Sequence, residues 1–203
     1  MALFKLRPPR RRIKHYSTVS TPHHTYHNLL KDLTITHPHQ VWASDLSRLV
    51  YRGTTWYLAT IEDLATRQMI AARIGKRHDS QLVLSTLQQA FATGYAPTIF
   101  HSDQGTEFMA QRCTGYLEKQ GVLISVSDTA SPWQNGHMES FYGRFKQELG
   151  DLNRFDTVGE MIEAIYRHIH YYNHHRIHTA LKMPPASYAA RIFSDTGLQI
   201  LGT

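Results

Sequence analysis

The sequence predicts an α/β fold in which helices cover a mixed five-stranded sheet. Three short strands in succession, joined by tight turns, indicate an antiparallel meander. After them the hydrophobic period changes to that of helices, and two further strands alternate with helices. The chain of 203 residues has room for one domain, in which about 70% of the unfolded surface can be buried. This length supports a hydrophobic core without disulfide or metal cross-links.

The predicted meander consists of three apolar runs separated by turn residues. The strands are predicted over Val41–Tyr51, Thr55–Asp63 and Gln68–Ile74. The turn signals between them are Arg52–Gly53 and Ala65–Arg67, and Gly75 ends the third strand. Short strands with such tight connections are typical of an antiparallel meander.

Helices and strands alternate after residue 79. The first helix is predicted over Ser80–Thr93, because its apolar residues recur on one helical face. Asp79 is placed to cap its N-terminus, and Gly94 follows its last residue. The remaining elements are predicted in the order strand Thr98–Ser102, helix Thr106–Gln120, strand Val122–Ser127, and helices over 137–149 and Val158–Tyr172. This order favours a mixed sheet covered by helices.

Positive charge is concentrated at the N-terminus. Residues 1–14 contain six of the 22 Lys and Arg and none of the 16 Asp and Glu, so the rest of the chain is balanced. We predict that this arm, with Arg10, Arg11 and Arg12, contacts phosphate groups; a solvated flexible tail is the alternative. Residues 1–39 are predicted to be an arm and linker, 40–150 the core of the fold, and 151–203 a C-terminal helical extension.

Composition excludes several other classes of protein. No apolar run reaches about 18 residues, so we expect no membrane span. The N-terminal residues have neither an apolar stretch nor a small-residue cleavage site, and we expect no signal peptide. The single cysteine, Cys113, cannot form an internal disulfide or a multi-cysteine zinc site. We interpret it as a packed thiol in a reducing compartment.

Three acidic residues lie on predicted elements that can bring their carboxylates together. Asp45 lies in the first strand, Asp103 directly follows the fourth, and Glu139 lies in the third helix. Ligands collect at the carboxyl ends of strands, and carboxylate oxygens bind Mg²⁺. Two such ions can assist an in-line phosphoryl displacement. For Asp103 the alternative is a capping role for the helix predicted to start near Thr106.

Three segments carry a specific resemblance to a known family. HSDQGTEF, SPWQNGHMESFYGRFKQEL and YNHHRIHTALKMPPASY occur in this order. They resemble the catalytic half of the transposases of the insertion-sequence-three group, in the superfamily of DDE transposases and retroviral integrases. The resemblance covers roughly residues 20 to 190. It implies an RNase H-like fold, with a five-stranded mixed sheet made of an antiparallel meander plus two parallel strands and flanked by helices.

The resemblance assigns the chemistry to particular residues. It implies that Asp45, Asp103 and Glu139 are the catalytic triad and bind Mg²⁺ or Mn²⁺, with two ions in the active complex. The family's basic residue falls on Lys146, which lies within about 20° of Glu139 on the same helical face. Lys146 is therefore expected to meet a DNA phosphate, and an ordinary surface lysine is the alternative.

Further DNA contacts are expected around this helix. Trp133 precedes it in a loop and is expected to stack on a splayed base; a hydrophobic staple is the alternative. Asn135 is expected to orient a carboxylate or a phosphate, with helix capping as the alternative. Tyr172, Asn173, Arg176 and His178 belong to a family hallmark, which we interpret as structural bracing and DNA contact.

The predicted function is that of a DDE recombinase core, which cleaves DNA strands and transfers them to a target. A ribonuclease H has the same fold, but that family carries a Glu in the helix predicted here over Ser80–Thr93, which has no acid. The other alternative is a catalytically incompetent fragment that binds DNA or an intact transposase. Expected partners are donor and target DNA, further copies of the chain, and a helix-turn-helix partner or upstream-frame product. The expected location is the bacterial cytoplasm, at the nucleoid.

Overall fold

The computed structural model describes residues 26–128 and 136–196. The strands are β1 Val41–Tyr51, β2 Thr54–Asp63, β3 Met69–Gly75, β4 Ile99–Ser102 and β5 Leu123–Val126. The helices are α1 Ser80–Phe91, α2 Gln111–Lys119, α3 Gly136–Leu149, α4 Val158–His174 and α5 Pro185–Thr196, with a short 3₁₀ turn at Leu152–Arg154. Within these described residues the elements form one α/β body around a single sheet.

The sheet has the strand order β3-β2-β1-β4-β5. β1 pairs antiparallel with β2, and β2 with β3, whereas β4 pairs parallel with both β1 and β5. The predicted turn between β1 and β2 is confirmed: Arg52 has φ 46° and Gly53 has φ 74°. Positive φ at both central residues is what a two-residue hairpin turn requires. The sheet therefore has the predicted composition of a meander plus two parallel strands.

Each face of the sheet is covered by a different pair of helices. On one face, α3 and α4 pack their apolar side chains against Val41, Leu58 and Met69. On the other, α1 and α2 pack against Trp42, Ile61 and Phe100. Successive strand residues point to opposite faces, so β1 contributes to both cores and lies at the centre of the molecule.

The elements of the meander and α1 begin and end within two residues of their predicted limits. The Asp79 side chain accepts a hydrogen bond of 3.0 Å from the Leu82 N–H, which confirms the predicted cap. The predicted packed thiol is also confirmed, because Cys113 is 1% exposed. Burial raises the pKa of this thiol to about 11.

The prediction for α2 was wrong at its N-terminus. The helix begins at Gln111, because the preceding residues form a separate turn in which the N–H groups of Phe108 and Met109 both donate to the Gly105 carbonyl. Ala110, with ψ 136°, is extended and separates this turn from the helix. α5 lies within the predicted helical extension and begins at Pro185, a residue that suits the first helical position.

Residues beyond 150 share a core with the sheet. Met161, Ile165 and Ile169 of α4 are buried in the same cluster as the apolar residues of α3 and β1. The domain boundary predicted at residue 150 stays a prediction. No helix in the described ranges is both long and apolar enough to cross a membrane.

Candidate active site

The adjacent parallel strands β1 and β4 bring Asp45 and Asp103 side by side, just beyond the segment over which the two strands pair. The last paired residues of β1 and β4 are Ala43 and His101. Each acid lies two residues beyond its strand's member of that pair, so the two carboxylates occupy corresponding positions. Asp45 is half-buried, and Asp103 is exposed. As predicted, Asp45 lies within β1 and Asp103 directly follows β4.

The helix that carries Glu139 is fastened to β1 by Tyr142. The Tyr142 hydroxyl lies 2.8 Å from the carbonyl oxygen of Asp45 and 3.1 Å from that of Leu58, both acceptors. It also lies 2.8 Å from the Thr60 hydroxyl, which can donate to it. Burial, followed by the charge of Asp45, raises the pKa of Tyr142 well above its ordinary value. Tyr142 therefore stays a neutral phenol that fixes α3 against the strand at the position of the first acid.

The two polar residues predicted on the open face of this helix are both exposed. Glu139 lies in the first turn of α3 and Lys146 in the last. The apolar stripe predicted on the other side is confirmed as core, and its members are Met138, Phe141, Phe145 and Leu149. Contact between Lys146 and DNA stays a prediction.

The electrostatics of Asp45 show that several carboxylates act on one another here. Its pKa is raised to about 7, first by burial and then by the charges of Asp103, Glu139 and Glu107, against a backbone hydrogen bond from Leu46 that lowers it. That bond is 2.7 Å long. The ion pairs of the described residues do not include the three predicted acids. The site is a locally negative surface.

Asp103 is held by a turn. Its Oδ1 accepts a hydrogen bond of 2.9 Å from the Gly105 N–H. Its alternative role as the cap of a helix starting at Thr106 is excluded, because α2 begins at Gln111 and has no side-chain cap. A Cβ on Gly105 would lie 2.9 Å from Asp103 Oδ1 and 2.6 Å from Glu107 Oε1. A side chain at position 105 would therefore push both carboxylates away from the chain.

Glu107 is a residue of the site that the sequence prediction missed. It is 9% exposed, and its Oε1 lies 3.2 Å from Nε2 of His78. Together with Asp103 it flanks Gly105, and its charge contributes to the raised pKa of Asp45. The signal was the run Asp-Gln-Gly-Thr-Glu, in which a glycine between two acids folds the second back towards the first. The prediction of a helix from Thr106 placed Glu107 on that helix and concealed this turn.

The hallmark segment, which spans the end of α4 and the residues after it, holds neighbouring elements together. The Asn173 amide receives the Met69 N–H and donates to the Met69 carbonyl, both at 2.9 Å. The Arg176 guanidinium is engaged by Glu148, with Nη2–Oε1 at 2.8 Å and Nε–Oε1 at 2.9 Å. These contacts brace α4 against β3 and the end of α4 against α3. A contact between Arg176 and DNA stays a prediction.

Five residues predicted to contact DNA lie outside the described residues. They are Arg10, Arg11, Arg12, Trp133 and Asn135. Nothing structural bears on these predictions.

The donor chemistry of the site fits a hard divalent cation, since it consists of carboxylate oxygens on two neighbouring strands and a fastened helix. Among the described residues, no three His, Cys, Asp or Glu side chains lie close enough together to form a complete metal site. Asp45, Asp103 and Glu139 are thus close enough to perturb one another electrostatically, without forming a closed ligand cage.

Comparison with protein families agrees with this geometry. A family model described as "Integrase core domain" matches residues 35–132, and a second with the same description matches residues 120–185. An uncharacterized transposase-like protein of Haemophilus influenzae is 34% identical over 169 residues, covering 81% of this chain and 78% of that protein. The transposase for insertion sequence element IS904 of Lactococcus lactis is 31% identical over 180 residues, covering 85% of this chain and 69% of that protein.

A solved structure shares the fold. The catalytic core domain of the HTLV-2 integrase, solved in complex with magnesium, superposes with a TM-score of 0.64 at 17% identity. The match covers 75% of this chain and 97% of that one. This likeness confirms the predicted RNase H-like fold.

Proposed function

The chain belongs to the integrase core domain family, the family of DNA-joining enzymes that act by phosphoryl transfer, and we propose that it is the catalytic core of a DDE transposase. Its reaction is the Mg²⁺-dependent cleavage of DNA strands and their transfer to a target. The observation that carries this proposal is the negative centre formed by Asp45, Asp103 and Glu139. Burial raises the pKa of Asp45, and the charges of Asp103 and Glu139 raise it further.

The three acids are the residues that would hold the metal, as two Mg²⁺ or Mn²⁺ ions. When bound, divalent ions supply charge stabilisation to the attacking and leaving oxygens of an in-line displacement. The chain's own contribution is positional. The Gly105 N–H fixes one carboxylate oxygen of Asp103, and Tyr142 fixes the helix of Glu139 on the strand of Asp45.

The substrates are a donor DNA end and a target duplex. The 3′-oxygen of the donor end forms a bond to a target phosphorus, while the bond from that phosphorus to the target's own 3′-oxygen breaks. Lys146 shares a helical face with Glu139, and its ammonium group holds a donor phosphate beside the carboxylates. Such chemistry relies on positioning and on charge stabilisation more than on covalent catalysis.

We also infer which partners the chain has in this reaction. The basic arm with Arg10, Arg11 and Arg12 supplies sequence-independent affinity for DNA phosphates. The active species is an oligomer of the chain on DNA, joined by a helix-turn-helix partner or an upstream-frame product that recognises the element's ends. Its place of action is the bacterial cytoplasm, at the nucleoid.

The experiment is a strand-transfer assay with labelled donor oligonucleotides, a target plasmid and either Mg²⁺ or Mn²⁺. Wild-type protein should join donor to target, and Asp45→Asn, Asp103→Asn and Glu139→Gln should each abolish joining while keeping the wild-type circular dichroism spectrum. Asp156→Asn is the matched control, because this carboxylate is 93% exposed and away from the site. Wild-type joining by Asp103→Asn, or the absence of joining by the wild type with its partner added, would refute the proposal.

A further inference from the structure

A second polar site lies on α3, away from the face of Glu139. It is a cleft, partly open to solvent, between α3, α4 and the chain that follows α4, with β2 at its base. Glu62 and Tyr172 are buried in its lining, and Ser140 and Arg144 are exposed in it. Ser140 and Arg144 lie about 100° and 140° around the helix axis from Glu139. The cleft is thus separate from the carboxylate centre.

Positive charges converge on the His178 side of the cleft. The lining holds two guanidinium groups and two carboxylates, and one of these guanidiniums, Arg176, is paired with Glu148. Arg144 forms no ion pair within the described residues. The pKa of His178 is lowered by burial and then by the guanidinium groups of Arg67, Arg144 and Arg176. A positive potential attracts an anion.

Two nitrogen atoms in or beside the cleft are buried without a hydrogen bond among the described residues. They are Nδ1 of His178, in the lining, and Nη1 of Arg67, which can only donate and whose charge acts on Glu62. Leaving buried donors unpaired is unfavourable. An oxyanion with several acceptor oxygens would satisfy these donors, and exposed Arg144 would supply its counter-charge. The carboxylate of Glu62, 2% exposed, also lies in the lining and opposes an anion.

We propose that this cleft is a phosphate-binding site and that it holds one backbone phosphate of bound DNA. The assignment of DNA as the source rests on the proposed function; free inorganic phosphate offers the same chemistry. α3 also carries Glu139 and Lys146, so DNA that reaches the carboxylate centre passes along this helix. Because Lys146 and Arg144 lie about 160° apart around the axis, the cleft is a second point of contact and not an extension of the first.

The test measures DNA binding without catalysis. In an Asp103→Asn background, the affinity for a fluorescent duplex is determined by anisotropy at several salt concentrations. Arg144→Ala should reduce the slope of log affinity against log salt by about 0.9, the value for one lost phosphate contact. Arg167→Ala is the matched control, because Arg167 is an exposed arginine of α4 that pairs with Glu163 outside the cleft. An unchanged slope for Arg144→Ala, or an equal change for Arg167→Ala, overturns the proposal.

A second arm separates the two sources of phosphate. Inorganic phosphate should raise the melting temperature of the Asp103→Asn protein but not that of its Arg144→Ala derivative. Glu62→Gln, which removes a negative charge from the floor, should strengthen this response. If phosphate acts in this way while Arg144→Ala keeps the full DNA slope, the site binds free anions and the DNA assignment is wrong. If neither phosphate nor DNA responds to Arg144, the cleft is not an anion site.

The outcome is independent of catalysis. If the wild-type protein fails to join DNA while Arg144→Ala shows the predicted slope change, the proposed reaction is refuted and the phosphate site is supported. If the wild-type protein joins DNA normally while Arg144→Ala leaves the slope unchanged, the phosphate site is refuted and the proposed reaction is supported.

Discussion

Replacing Tyr142 by Phe tests whether the active site depends on one buried hydroxyl. The substitution removes the atom that joins α3 to the Asp45 carbonyl, the Leu58 carbonyl and the Thr60 hydroxyl. It keeps the aromatic ring, which packs with the Phe141 ring at a centroid distance of 5.3 Å. The apolar core is therefore preserved, and only the polar attachment is lost.

The expected loss of stability follows from those contacts. A neutral hydrogen bond contributes about 1 kcal/mol, and a buried group left unpaired costs about 1–3 kcal/mol. Thr60 has 0% exposure, so the bond that it loses is not replaced by water. We expect the free energy of unfolding to fall by about 2 kcal/mol and the melting temperature by about 4–8 °C for a chain of this size.

The effect on activity should exceed the effect on stability. A misplaced helix shifts Glu139 relative to Asp45, and an error of about 1 Å at a catalytic group can lower a rate by about a hundredfold. Strand transfer is measured well below the melting temperature. Tyr51→Phe is the control, because the Tyr51 hydroxyl is held by the Phe155 carbonyl at 3.1 Å, in the core but away from the site. Equal joining rates for the two variants would refute the reasoning.

Four further changes have defined outcomes. Burial and neighbouring carboxylates raise the pKa of Asp45 to about 7, so the native state binds one more proton than the unfolded state between about pH 4 and 7. Without metal, the free energy of unfolding measured in urea should therefore fall as the pH rises through this range. The fall should be smaller in Asp45→Asn. Gly105→Ala should displace the Glu107 carboxylate, 2.6 Å from the new Cβ, and weaken Mn²⁺ affinity measured by electron paramagnetic resonance; unchanged affinity contradicts this. Lys146→Ala should weaken donor-end binding but not divalent-ion affinity, and crosslinking from a cysteine at this position to a thiol-bearing donor end checks it. Deleting residues 1–14 should shrink the salt dependence of DNA binding, and an equal slope would mean that the arm contacts no phosphates.

Local sequence patterns predicted the strands and helices. They did not predict the contacts between residues that are far apart in the chain. The Arg52–Gly53 turn and the Asp79 cap depend on neighbouring residues, so the elements around them were placed within two residues. Glu107 was missed because its role depends on a turn that interrupts the predicted helix. Tyr142 was not recognised as a fastener, since its partner at Asp45 is 97 residues away in the chain.

The predicted role of Arg176 illustrates the same limit. A sequence shows an arginine, but it does not show whether the guanidinium forms an ion pair with an acid elsewhere in the chain. Here Glu148, which is 28 residues away, binds the guanidinium with both carboxylate oxygens. The elements that carry Asp103 and Glu139 could be predicted because strand ends and helix faces are local features, while the pairing state of each charge is a property of the packed protein.

The attachment made by Tyr142 uses main-chain acceptors for two of its three bonds, and main-chain carbonyls are present whatever side chains β1 and β2 carry. Exchange of the Asp45 carboxylate therefore leaves the fastening of α3 intact. Under the proposed function, a copy with a disabled triad would keep the folded shape with which the chain binds DNA, and it would compete with active copies for that DNA.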